Sequence, residues 1–114
     1  MEKWLRTDFE SSSSKTPQFK EFVTDLRNYF RKNIPECLIS VGHFEISGFY
    51  TNPDTGHMCY FSMSDVRFFR DEWYTHVLYR TAEHEKDYTG GRNMYCTLPE
   101  LAAKMKELTA IPNL

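Results

Sequence analysis

The run Asn52-Pro53-Asp54-Thr55-Gly56, set between two segments of alternating apolar residues, constrains this chain more than any other stretch. Asn52 precedes a proline, whose ring clashes with a helical neighbour and pushes Asn52 toward the extended region. Pro53 holds φ near the value that an opening turn residue needs, and Asp54 carries a side chain that bonds its own backbone in turns. Gly56 takes the left-handed conformation that ends a four-residue hairpin loop without steric cost. This turn sets a register in which Asn52 faces His57, Tyr50 faces Cys59, Gly48 faces Phe61 and Ile46 faces Met63. Phe44, Ile46, Tyr50, Cys59, Phe61 and Met63 then share one face, while Glu45, Ser47, Tyr60, Ser62 and Ser64 take the other. A slip of one residue would scramble that sorting. Phe49 and Met58 fall on the polar face, where partial cover by a neighbouring segment is expected.

The hairpin is preceded by one more strand, starting near Cys37, and flanked by helices. Thr16 is a fair N-cap and Pro17 suits a first helical position, so a helix is predicted over 17–32. Phe19, Phe22, Val23, Leu26 and Phe30 form its apolar stripe, Arg31 and Lys32 suit its C-terminal end, and Pro35 stops it. Beyond the hairpin, Asp65 to Phe69 either continues the strand or bends away. Arg70 to Tyr74 reads as a loop or one helical turn, His76 to Ala82 as a strand, and Met94 to Cys96 as a short strand. Thr97 caps a last helix that has Pro99 and Glu100 in its first turn and Leu101, Ala102, Met105 and Leu108 as its stripe. Ala110-Ile111-Pro112 ends it. The order is helix, about four or five antiparallel strands, helix. The economical solution is an α+β two-layer sandwich with the N-terminal and C-terminal helices packed on one face of the sheet.

At 114 residues the chain supports one core, expected over 17–114. Residues 1–16 read as a flexible tail around the run Ser11-Ser12-Ser13-Ser14, although Trp4, Leu5 and Phe9 are apolar enough to dock as a short element. A net charge of −2 offers no bulk attraction for nucleic acid or an anionic membrane. Three cysteines, widely spaced and without a CxxC pair, argue against a disulfide framework and fit a reducing cytoplasm. The first residues contain no apolar stretch of signal-peptide type, and no run is long enough to span a membrane. No cofactor motif is present: Gly90-Gly91 lacks the remaining glycines and the Lys-Ser/Thr of a phosphate loop. His43, His57, Cys59, His76 and His84 are too scattered for zinc-ligand spacing, so no metal is expected.

Two constellations carry chemistry. The loop Glu83 to Asn93 offers His84 as a general base, Glu85 or Asp87 to orient it, and Arg80 or Arg92 to stabilise an anion. That arrangement would suit a small enzyme acting on a phosphate-bearing or nucleic-acid substrate. The second constellation joins Arg67, Arg70, Trp73, Tyr74, Arg80, Lys86, Tyr88 and Arg92, a mixture typical of protein-binding hot spots and of single-strand platforms. Between Met63 and Asn93 five basic residues meet six acidic ones, which disfavours a polyanion and favours a protein partner. Small acidic, aromatic-rich domains without a catalytic signature are common among accessory proteins of bacterial mobile elements. Some of those inhibit host defence nucleases, an association of kind and not of motif. The expectation is therefore a non-catalytic module that docks a protein, with the His84 enzyme as the alternative.

Overall fold

In the computed structural model, residues 15–42, 45–63, 66, 73–84, 87 and 91–110 are described. Helix α1 spans Pro17–Asn33, and the Thr16 hydroxyl accepts the Phe19 N–H at 3.4 Å to satisfy one of the amides that a helix start leaves unpaired. The sheet follows with β1 (Cys37–Val41), β2 (Ile46–Thr51), β3 (Met58–Met63), β4 (Val77–Ala82) and β5 (Met94–Cys96), and helix α2 spans Leu98–Thr109. All five strands pair antiparallel in sequence order, a meander in which each strand lies beside its chain neighbour.

The hairpin register is the expected one: Tyr50 pairs with Cys59, Gly48 with Phe61 and Ile46 with Met63. Gly56 has φ +77°, and the Asn52 N–H donates to the His57 carbonyl at 2.9 Å to close the loop. One detail of the turn differs from expectation. The side chains that bond the local backbone belong to Asn52 and Thr55, not Asp54: Asn52 Oδ1 accepts the Asp54 N–H at 2.8 Å and Thr55 Oγ1 accepts the His57 N–H at 3.2 Å. Asn52 is free to do so because its backbone is extended ahead of Pro53.

The core lies between the helices and one face of the sheet. Phe19, Phe22, Leu26 and Phe30 of α1, and Leu98, Leu101 and Met105 of α2, meet Ile46, Tyr50, Cys59, Phe61, Met63, Val77, Tyr79 and Cys96. Every one of those sheet residues has the same parity in its register, so both helices cover the same face. Gly48 makes the closest packing possible. A Cβ there would sit 2.7 Å from Phe61 Cζ, and the ring that uses this space stacks on Phe30 at 5.2 Å between centroids.

At the start of α2, the Thr97 N–H and hydroxyl both donate to Glu100 Oε1, at 3.2 and 2.8 Å. These bonds hold the Glu100 carboxyl below its ordinary pKa. A buried polar clamp fastens the other end of α2. Asn52 Nδ2 donates to Thr109 Oγ1 at 3.1 Å, Thr109 Oγ1 donates to the Met105 carbonyl at 2.7 Å, and Thr55 Oγ1 donates to the Thr109 carbonyl at 2.7 Å. The hairpin loop is thus tied to the last turn of the last helix. The predicted segment 76–82 starts one residue later, at Val77, because the His76 N–H turns back to the Trp73 carbonyl. Trp73–Thr75 form a single 3₁₀ turn. Among the described residues, no helix is long and apolar enough to cross a membrane.

Candidate functional site

The sheet has a second face, which turns away from both helices, and the register shows what it carries. Leu38 pairs with Phe49, Phe49 with Tyr60 and Tyr60 with Arg80, so these four side chains form one row across β1 to β4. The Phe49 and Tyr60 rings lie 5.3 Å apart, tilted at 54°, and the Arg80 guanidinium sits 4.7 Å from the Tyr60 centroid. A cation over an aromatic face is attracted by the ring quadrupole. Arg80 Nη1 donates to Asn93 Oδ1 at 3.1 Å, carrying the row to the entry of β5. Phe49 is 9% exposed, in keeping with the expected cover. Leu38 and Tyr95 are not covered: they are 62% and 60% exposed. They stand on opposite edge strands, four strand spacings or about 19 Å apart.

The residues of the expected binding constellation divide sharply. Arg80 lies half-buried on this sheet face, and Arg92 is exposed. Trp73 is not a surface residue: it is 3% exposed and sits in the core, edge-on to the Phe22 ring at 5.3 Å and 88°. Its indole fills the end of the core beside α1, which is why a large amphipathic ring occurs in a charge-rich connection. Tyr74 is half-buried, packed against that core with its ring 5.9 Å from Trp73. Arg67, Arg70, Lys86 and Tyr88 lie outside the described residues, as do Phe44, Ser64, Trp4, Leu5 and Phe9.

Among the described residues, the His84 loop does not bring the expected catalytic groups together. His84 is exposed. Asp87 is occupied in building its own loop, since its Oδ2 accepts the Glu83 N–H at 3.0 Å and its N–H donates to the His84 carbonyl at 3.1 Å. Glu85 lies outside the described residues. Gly91 has φ +78° and lies against Thr81, where a Cβ would fall 2.6 Å from Thr81 Oγ1. The glycine is needed for close chain packing, and that need explains it without a ligand.

A cleft of about 210 Å³ lies between the α1–β1 turn, the hairpin loop and α2, lined by Ile34, Glu36, Tyr50, Asp54, Ala102 and Lys106 among others. It is small for an organic ligand. Tyr50 at its wall has its hydroxyl pKa raised, chiefly by burial and then by Glu36. None of the expected site residues lines it. The three thiols are free, and burial pushes Cys59 to about 12 and Cys96 to about 11, with Cys37 raised further still. These are poor nucleophiles at neutral pH. Among the described residues, no group of three His, Cys, Asp or Glu side chains is placed to hold a metal ion.

Sequence reasoning did not single out Leu38 or Tyr95. The three-residue segment of Tyr95 is too short to show alternation. For Leu38 the signal was available in principle: extending the hairpin register by one strand puts Leu38 beside Phe49. Compared with known proteins, the chain matches no protein family, no curated protein and no solved structure.

Proposed function

We propose that this protein is a non-catalytic binding module that docks a protein partner on the sheet face opposite the helices. The observation that supports it most directly is the pair of exposed large hydrophobics, Leu38 and Tyr95, on the sheet face that also carries the Tyr60–Arg80 cation–π pair. Tyrosine and arginine are the side chains that dominate protein hot spots, because each buries a large planar area and still offers hydrogen bonds. A net charge of −2 favours a protein over a polyanion as the partner. Inhibition of a host defence nuclease by direct docking is the concrete form of this reading for a small domain of this kind.

The experiment compares proteins captured from the native host by the parent chain with those captured by Tyr95→Ser, by Arg80→Ala with Arg92→Ala, and by Lys104→Ala on the exposed side of α2. A partner of this face is lost from the Tyr95 variant at unchanged melting temperature and kept by the Lys104 variant. Its retention by the arginine pair falls most at low salt, where charged contacts contribute most. Captured proteins that are the same for all four chains would remove the basis for this reading.

A further inference from the structure

The outer edge of β1 is built for pairing. The bonds at its two ends fix which backbone groups face outward: the Gly42 N–H donates to the Glu45 carbonyl at 2.7 Å, and the Thr51 N–H to the Glu36 carbonyl at 3.5 Å. In an antiparallel ladder bonded pairs recur every second residue, so Glu36, Leu38, Ser40 and Gly42 turn their backbone groups toward β2. Cys37, Ile39 and Val41 turn theirs away from it. The Cys37 N–H is used by the Ile34 carbonyl at 3.2 Å. Among the described residues no strand pairs with this edge, where both polar groups of Ile39 and Val41 and the Cys37 carbonyl point outward.

Natural proteins guard such edges with charges, prolines or bulges. The strand Cys37-Leu38-Ile39-Ser40-Val41 contains no charge and no proline, and its ladder with β2 runs without a bulge. Its side chains are also left half-finished. On the inner strands the helix-side Ile46, Cys59, Phe61 and Tyr79 are 0% to 7% exposed, whereas Cys37, Ile39 and Val41 are only half-buried. One more strand would cover all three. The other edge, β5, offers only three residues.

We infer that the occupant of this edge is the β1 strand of a second copy of this chain, paired antiparallel about a two-fold axis at Ile39. That register uses every outward group except the Val41 carbonyl, whose opposite Cys37 N–H is already bonded to Ile34. The two Ile39 residues exchange N–H to carbonyl bonds, and each Val41 N–H meets the opposite Cys37 carbonyl, giving four bonds in all. Cys37 packs beside the partner's Val41 and Ile39 beside the partner's Ile39 on the helix side, while Leu38 covers the partner's Ser40 on the open side. Charge agrees with this orientation: Glu36 faces the partner's Gly42, whereas a parallel pairing would set the two Glu36 carboxylates side by side. The result is a continuous ten-stranded sheet, and the pairing does not depend on the partner-binding reading above. A five-residue edge contact is small, so the association is weak and concentration-dependent.

Sedimentation velocity on the full chain over a wide concentration range tests this first, with a reversible monomer–dimer equilibrium as the expected result. Ile39→Pro removes an N–H that the sheet itself does not use, so it weakens dimerisation by roughly tenfold or more through the two symmetric bonds it deletes. The register is tested separately by mixing Leu38→Cys chains with Ser40→Cys chains under mild oxidation and mapping the disulfide-linked peptides. A 38–40 cross-link forms in the mixture and in neither chain alone, because only the mixture sets the two thiols opposite each other. A chain that stays monomeric at its highest soluble concentration overturns the inference. So does absence of the 38–40 cross-link, whatever the proline variant does.

Discussion

Asn52→Ala, Thr109→Val and their double variant measure how the hairpin loop is fastened to α2. Asn52 and Thr109 are 2% and 1% exposed, so water cannot replace what either side chain loses. Removing the Asn52 amide breaks its bond to Thr109 and releases the Asp54 N–H. At about 1 kcal/mol for each net hydrogen bond, the loss is about 2 kcal/mol. Asp54 itself is exposed, so its freed N–H can be hydrated and adds little beyond that. Thr109→Val keeps the volume but leaves Asn52 Nδ2 buried without its acceptor, a cost of about 1–3 kcal/mol. The two residues share one bond, so the double variant should lose about 1 kcal/mol less than the sum of the singles. Urea denaturation with a common m-value reads all four free energies, and each kcal/mol should also move the melting temperature by roughly 4–8 °C. Strictly additive losses would refute the clamp. So would an Asn52→Ala loss under about 0.5 kcal/mol, since that would mean the Asn52 side-chain bonds contribute little to holding the loop.

Trp73→Ala should cost about 3–5 kcal/mol in the same denaturation experiment, because the indole fills the core beside Phe22; an unchanged transition would return Trp73 to the surface. Gly48→Ala should destabilise by about 3 kcal/mol, at the upper end of overpacking, since the added methyl meets the Leu38 carbonyl as well as the Phe61 ring, and a backbone atom cannot rotate away. The thiols should react slowly with iodoacetamide at pH 8 in the native protein and promptly after denaturation. Their pKa values are raised by folding, so the neutral thiols contribute stability that is complete below the unfolded thiol range near pH 8.5 and is lost as pH climbs toward 11–12. A denaturation midpoint that stays flat from pH 9 to 11 would contradict this.

Much of the architecture was legible because it rests on local chemistry. The Asn-Pro-Asp-Thr-Gly turn dictated the β2–β3 register, and a period of two then sorted Ile46, Tyr50, Cys59, Phe61 and Met63 onto one face. Thr16 with Pro17, and Thr97 with Glu100, marked the starts of both helices, and the stripe of Phe19, Phe22, Leu26 and Phe30 showed which side of the first one is buried. These signals lie within a few residues of one another, so no distant contact is needed to interpret them.

The candidate site was less legible, since exposure depends on what the rest of the chain covers. Trp73 and Leu38 make the contrast. Composition placed the tryptophan in a polar connection and suggested an anchor, yet α1 passes over it and the core takes it in. Leu38 belonged to an ordinary strand, and it is exposed only because β1 is the edge of the sheet and both helices pack on the other side. Local sequence determined the elements, their register and their apolar faces. Which large side chains remain at the surface was decided by strand order and by the side on which two helices, far apart in sequence, came to rest. Burial is a property of the assembled neighbours, and no single segment encodes them.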